Sequence, residues 1–189
     1  MILISGSCEV ASCLYKYLKV KKSEGYSVVD FFADRCGGQN CNRMINCMLS
    51  EALHAYNLDS ITLNFLVSGH SQNENDTAHS VIESACRNHT IYTTNQWEIS
   101  LSMAFKKNTC KVIRIFHNDI IDFKSVVAFP LYISVLKDSV LETDESNNNG
   151  NGRKNQVCKG GKKVYWSKVM QVRFTKDKPN KMLFKYKYS

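Results

Sequence analysis

The chain lacks the features that would assign it to a membrane or to the secretory route. No run of about 18 apolar residues occurs, so no transmembrane helix is predicted. Residues 1–4 are apolar but too short for a signal peptide. The eight cysteines have neither disulfide-framework spacing nor paired Cys-x₂-Cys knuckles. We therefore expect an intracellular protein with reduced cysteines; the one zinc set that can be drawn is Cys36, Cys41, Cys47 and His54.

Acidic residues are scarce in two parts of the chain. None precedes Glu9, and residues 151–189 contain only Asp177 against twelve lysines and arginines. This tail carries a formal charge of +11, whereas the whole chain carries +8, so the first 150 residues carry −3. Because the positive charge is confined to the tail, the tail is the predicted contact for an anionic partner.

The most informative stretch that is present covers residues 34–43, which read Asp-Arg-Cys-Gly-Gly-Gln-Asn-Cys-Asn-Arg. The β-branched and aromatic residues before it predict a buried strand, and apolar residues at helical spacing follow it. An acid at the carboxyl end of a strand points into the crevice where open α/β sheets bind ligands. Asp34 is therefore the first candidate for chemistry. The alternative is that Asp34 and the glycines only build the turn.

A second polar motif follows another predicted strand, residues 61–67. From about residue 73 the pattern is helical, with an apolar stripe on one face and Asp76, His79 and Glu83 on the other. Asp76 lies in the first turn, where the helix dipole favours a carboxylate. His70 stands between the strand and the helix as a further candidate catalytic side chain. The alternative interpretation is an ordinary solvated helix face.

The two motifs together resemble a family of transposon-derived domains similar to DDE-type transposases. They read D-x-C-x-G-Q-N-x-N from Asp34 and G-H-S-Q-N-E-x-D-x-x-H-S-x-I-E from Gly69. Residues 9–15 resemble the helix that the family places before the Asp34 strand. The resemblance spans about residues 5–125 and implies an α/β, ribonuclease H-like three-layer fold.

The resemblance also implies a metal site and its ligands. In such enzymes three acids hold two divalent cations that clamp the attacking and leaving oxygens of a phosphodiester. Asp34 matches the second acid, and Asp76-x-x-His79 matches the acid-x-x-His signature after the next strand of the fold. Glu83 is the candidate third acid, with Glu98 or a later acid as the alternative. An oxygen ligand set of this kind implies Mg²⁺ or Mn²⁺.

The chain departs from this family at its beginning. The first catalytic acid belongs to a three-stranded unit before the helix at Glu9, and no acidic residue stands there. We therefore expect a ribonuclease H-like domain that lacks its first strands and is catalytically defective, with weak or absent metal binding. The strand over residues 26–33 would lose its usual neighbour and leave an open edge unless another element or subunit covers it.

Three segments are predicted along the chain. Residues 1–142 form the truncated domain, residues 143–156 a flexible linker rich in asparagine and glycine, and residues 157–189 a basic, aromatic β-hairpin. Further elements are a helix over 94–105 capped by Thr94, a strand over 112–116, and an ambiguous apolar stretch over 126–135.

The tail interleaves aromatic and basic side chains, which is typical of nucleic-acid binding. The alternative is a strand with a buried aromatic face and a lysine-rich solvated edge. Aromatic rings would stack on bases while the cations hold phosphates. The candidate nucleic-acid-binding residues are Lys162, Lys163, Arg173, Lys185, Tyr186 and Lys187.

Three function classes follow from these patterns. The first is a transposase-derived, nuclear, DNA-binding protein with little or no catalysis. The second is an active metal-dependent nuclease or integrase whose missing acid comes from elsewhere, for instance from a second subunit of a homo-oligomer. The third is an α/β protein-interaction module without nucleic acid.

Overall fold

A computed structural model describes residues 6–67, 74–105, 111–123, 132–135, 165–178 and 181–187. The protein is an α/β protein with a mixed sheet and helices, as the sequence predicts. Short 3-10 turns lie at His117–Asp119 and Trp166–Lys168. The helices and strands, in chain order, are α1 Ser7–Ser23, β1 Val28–Ala33, α2 Arg43–Ala55, β2 Ser60–Phe65, α3 Glu74–Cys86, α4 Thr94–Ala104, β3 Tyr132–Val135, β4 Gln171–Thr175 and β5 Lys181–Lys185.

The strands form one five-stranded sheet in the order β1-β2-β4-β5-β3. Strands β1 and β2 are parallel, β4 is antiparallel to both of its neighbours, and β3 is parallel to β5. The segment predicted as an extension after the linker therefore contributes two strands to the same sheet. One of them, β4, bonds directly to β2.

The core lies on the sheet face that carries α1 and α2. Across this face Phe31 lies beside Leu63, Leu63 beside Val172, and Val172 beside Phe184. Leu63, Val172 and Phe184 are buried, and each stabilises the fold by about 1.5–3 kcal/mol, whereas Phe31 is partly buried. Helix α2 begins where the Asn42 side chain accepts a hydrogen bond from the backbone N–H of Ile45 at 3.1 Å. The helices contribute the buried residues Leu18, Ile45, Met48, Leu49 and Leu53.

On β2 the opposite face of the sheet is polar. Alternate positions of β2 place Ser60, Thr62 and Asn64 on it, all buried. The Asn64 amide donates to the Phe31 carbonyl at 3.1 Å and accepts from the Gln171 amide at 2.7 Å. Because these two bonds run to β1 and β4, Asn64 ties three neighbouring strands together.

Strand β1 is an edge strand. In the part of the chain that the structure describes, it bonds to β2 and has no strand on its other side. Its outward side chains Val28 and Phe32 are 55% and 63% exposed. An unpaired edge with apolar side chains favours pairing with another chain.

Two predicted local features differ from the structure. The strand predicted over 112–116 is wrong, because residues 111–116 form no regular element. Their polar groups have other partners: the Arg114 carbonyl accepts from Lys16 at 2.9 Å, and the Phe116 N–H donates to Asp119 at 2.7 Å. The cap of α4 is Thr93 and not Thr94, since Thr93 forms a reciprocal capping box with Gln96.

Several predictions fall on residues that the structure does not describe. They are the linker over 143–156 and the site candidates His70, Lys162 and Lys163. None of the described helices has the length and apolar character that crossing a bilayer requires. The six described cysteines are free thiols: Cys8, Cys13, Cys36, Cys41, Cys47 and Cys86.

Candidate functional site

Asp34 begins the turn that joins β1 to α2. Its Oδ1 accepts hydrogen bonds from the backbone N–H of Cys36 at 3.0 Å and from the Asn40 amide at 2.7 Å. The Cys36 carbonyl in turn accepts from the backbone N–H groups of Gln39, Asn40 and Cys41. These bonds fix the carboxylate at the carboxyl end of β1. Asp34 therefore takes part in building the turn, and its Oδ2 has no partner among the described residues.

Arg35 fastens this turn to the start of β4. Its guanidinium donates to the carbonyls of Ser167 and Val169, the latter at 2.9 Å, and it contacts the sulfur of Met170. Its buried Nε has no hydrogen-bond partner among the residues that the structure describes. No sequence pattern indicates a role for Arg35, although it stands next to Asp34. Only its long-range partners, more than 130 positions away, reveal its role.

A cavity of about 390 Å³ brings the two sequence motifs together. It lies at the carboxyl ends of β1 and β2, where Asp34 and Asn40 face Asp76 and His79 from α3. The backbone N–H of Leu66 donates to the Ala33 carbonyl at 2.9 Å and holds the two strand ends side by side. Crevices at this position are where open α/β sheets bind ligands.

The other candidate acids lie apart from this cavity. Glu83 is exposed on α3, one turn beyond His79, and does not line the cavity. The Glu98 carboxylate forms an ion pair with Arg114. Asn40, which belongs to the first motif but was not a predicted site residue, lines the cavity and orients Asp34.

The described side chains do not fit a two-metal site. Mg²⁺ requires near-octahedral coordination by oxygens, and a two-metal clamp requires bridging carboxylates. Among the described residues no three His, Cys, Asp or Glu side chains come together as metal ligands. Asp34 and Asp76 are the carboxylates that line the cavity, and Asp34 Oδ1 already accepts two hydrogen bonds. The zinc candidates Cys36, Cys41, Cys47 and His54 likewise form no metal-binding group in the described part of the chain, and Cys47 is buried in α2.

Three of the tail cations lie on the polar face of the sheet. Arg173 on β4 and Lys181 on β5 are exposed, and Lys185 is half-buried. The strand register places Arg173 opposite Leu183. Lys181 and Lys185 lie two positions before and after Leu183, so they share its face of the sheet with Arg173. We name Arg173, Lys181 and Lys185 the basic face; Lys187, also exposed, follows the end of β5.

Two aromatic residues of the tail, Phe184 and Tyr186, pack against each other, whereas Tyr165 is 49% exposed. Phe184 is buried, and the Tyr186 ring lies edge-on to it at 5.3 Å between centroids. The Tyr186 hydroxyl accepts a hydrogen bond from the backbone N–H of Tyr165 at 3.1 Å. This packing favours the structural interpretation of the aromatic face over stacking on bases.

The segment that contains both motifs is similar to a known protein family. A family described as a domain of unknown function (DUF7869) matches residues 5–138. The match covers α1 to β3 and therefore includes both motifs that line the cavity. No curated protein and no solved structure matches the chain. The chain belongs to the DUF7869 family.

Proposed function

We propose that this chain is a transposase-derived, nuclear protein that binds DNA and does not cut it. The observation that carries the proposal is the meeting of Asp34 with Asp76 and His79 on one cavity at the carboxyl ends of parallel strands β1 and β2. These residues come from the two motifs that carry the transposase resemblance. The position of α1 before β1 supports a ribonuclease H-like arrangement, with β4 and β5 as a C-terminal hairpin.

The expected loss of catalysis follows from the donor set. A cation held by Asp34 and Asp76 alone would keep most of its water and would not align a nucleophile with a leaving group. The Glu83 carboxylate, the candidate third acid, lies outside the cavity lining. Mg²⁺ or Mn²⁺ would therefore bind weakly or not at all.

The expected DNA contact is electrostatic. The basic face presents exposed Arg173 and Lys181 on adjacent strands, and the tail that contains it carries +11. Lysine and arginine side chains that neutralise phosphates release counterions, so binding is largely independent of sequence and weakens as salt increases.

The test is a salt titration of duplex DNA binding by the full chain. Each lost phosphate contact lowers the slope of log K against log salt by about 0.9. We expect the double variant Arg173→Gln/Lys181→Gln to lower the slope by about 1.8. The charge-matched control Lys19→Gln/Arg87→Gln changes exposed cations elsewhere and should leave the slope unchanged. Equal slopes in both variants would remove the basic face from the proposal.

A second arm tests the absence of catalysis. The full chain is incubated with duplex DNA and either Mg²⁺ or Mn²⁺, and no cleavage or strand transfer is expected. Cleavage that disappears in both Asp34→Ala and Asp76→Ala would establish an active nuclease or integrase instead.

A protein-interaction module is the second candidate function, and one observation favours it. The β1 edge has no strand partner among the described residues, and Val28 and Phe32 are exposed on that strand. Such an edge accepts an added strand from a partner or a second copy of the chain. Concentration-dependent sedimentation without any DNA binding would select this candidate.

A further inference from the structure

We infer that the cavity binds an unpaired nucleobase that carries an exocyclic amine, with guanine preferred. The inference rests on the proposed function, because it assigns a ligand to the cavity of a DNA-binding protein. The proposed ligand of this cavity is therefore the base of a nucleotide, and not a phosphodiester with its bound cations.

The apolar part of the cavity fits a flat organic ring. Nine of its fourteen lining residues are apolar, among them Phe31, Leu63 and Leu66 from the sheet and the loop after it, and Leu14 and Leu49 from the helices. A volume of about 390 Å³ lies at the small end of ligand pockets, which are typically about 300–1,000 Å³. A hydrated cation or a phosphate would leave these apolar walls in contact with water.

The polar part of the cavity offers the carboxylates of Asp34 and Asp76 as hydrogen-bond acceptors, beside Asn75 and His79, which can also donate. Asp34 Oδ2 is without a partner in the described chain. The Asn40 amide nitrogen uses one of its two N–H groups on Asp34 Oδ1, and the Asn40 side-chain oxygen can accept a hydrogen bond. Asp76 adds a second carboxylate to the lining. Two negative charges repel a phosphate group, whereas they accept hydrogen bonds from N–H donors.

A nucleobase satisfies both parts of the cavity at once. Carboxylates recognise bases through their amino groups, as Asp and Glu do with the N4 amine of cytosine. Guanine presents its N1–H and its N2 amine side by side. Because Asp34 Oδ1 already accepts two hydrogen bonds, Asp34 Oδ2 would accept from one of these donors and the Asn40 side-chain oxygen from the other. The base must leave the stack to reach a cavity, which costs least in a single strand. The phosphates of that strand would remain outside, where the tail cations can hold them.

The test measures binding of nucleosides to the full 189-residue chain by calorimetry and by amide chemical shifts. Guanosine should bind and shift the signals of residues 33–40 and 75–79. Inosine, which lacks the 2-amino group, should bind at least tenfold more weakly, and thymidine should not bind. Asp34→Asn should weaken guanosine binding at least tenfold, because it removes the charge and one acceptor. Asp30→Asn, a carboxylate on β1 outside the cavity lining, is the matched control and should bind as the parent does.

Asp34→Asn keeps an oxygen at Oδ1 for the Cys36 N–H, and its thermal melt shows whether the turn has survived. If it has not, Leu66→Trp provides the second variant, since it fills the cavity from the loop after β2 and should abolish guanosine binding. Equal affinity for all three nucleosides, or unchanged guanosine binding in both variants, overturns the inference. Binding of arginine methyl ester without binding of guanosine also overturns the inference, because the cavity would then recognise a guanidinium group.

The two proposals fail in different ways. Salt-dependent duplex binding without guanosine binding overturns the nucleobase inference and leaves the proposed function intact. Guanosine binding without any affinity for duplex or single-stranded DNA overturns the proposed function, and with it the assignment of the cavity to the bases of a strand.

Discussion

The guanidinium of Arg35 donates a hydrogen bond to the Val169 carbonyl at 2.9 Å, and so joins the candidate site to the C-terminal strands. The residue before it is Asp34. Arg35 therefore links two parts of the chain that are far apart in sequence. One contains the acidic motif and the other contains the basic face.

We expect Arg35→Ala to destabilise the fold by about 1–3 kcal/mol, because it leaves the carbonyls of Ser167 and Val169 without their donor. The midpoint of urea denaturation measures this change, provided that the m value stays constant. Arg87→Ala, at an exposed position beyond α3, is the control. Equal midpoints for the two variants would mean that Arg35 does not anchor the turn.

A second prediction concerns the contribution of Asp34 to the stability of the turn. Asp34→Ala removes the acceptor of the Cys36 N–H and of the Asn40 amide, so we expect a loss of about 1–2 kcal/mol in the free energy of unfolding. Asp34→Asn keeps an acceptor oxygen and should lose less. If both variants are as stable as the parent, the turn does not depend on these bonds.

A third prediction concerns Tyr186. Its ring packs against Phe184 and its hydroxyl accepts from Tyr165, so Tyr186→Ala should lower the free energy of unfolding by about 2 kcal/mol. Tyr186→Phe removes only the hydroxyl and should cost about 1 kcal/mol. Single-stranded DNA affinity, measured at a temperature where each variant is folded, should stay unchanged. A selective loss of single-strand affinity with normal stability would restore the stacking role.

A fourth prediction concerns pH. Hydrogen bonds from Lys16 and from the Phe116 N–H lower the pKa of Asp119 below its ordinary value. A carboxyl group whose folded pKa is depressed stabilises the fold above its unfolded pKa, about 3.9, and this contribution disappears as the pH falls through the folded pKa. Asp119→Asn should therefore be less stable than the parent at pH 7. The difference should shrink as the pH falls below about 4.

Urea denaturation of both proteins at pH 7 and at about pH 2.5 measures this difference. Asp30→Asn, an exposed carboxylate on β1, serves as the control at both values. A difference that stays constant with pH would show that the ion pair between Lys16 and Asp119 contributes nothing through its charge.

The local elements could be predicted because their signals are local. Strand β1, helix α2 and strand β2 each have a periodic apolar pattern, and polar residues at their ends mark the turns. The segment over 112–116 alternates as a strand does, but a strand also needs a neighbour with free backbone groups. There the partners are side chains, Lys16 and Asp119, which no periodicity reveals.

The candidate site was predictable only in part for the same reason. Asp34 and Asp76 each follow a strand, and parallel strands bring their carboxyl ends together, so their meeting at one cavity could be expected. The sequence did not indicate that Glu83 would lie outside the lining, because helix periodicity gives a face and not a distance. It also gave no sign that β4 would lie between β2 and β5, since strand order depends on long-range pairing.

The place of β4 in the sheet has a consequence for synthesis. The chain leaves the ribosome from its N-terminus, so β1 and β2 emerge long before their antiparallel neighbour. Until residues 171–175 appear, β2 has an unpaired backbone edge, and Ile61 and Leu63 lack Phe174 and Val172 beside them. Completion of the sheet must wait until residues 171–175 have been synthesised, and until then the open edge of β2 can pair with other chains.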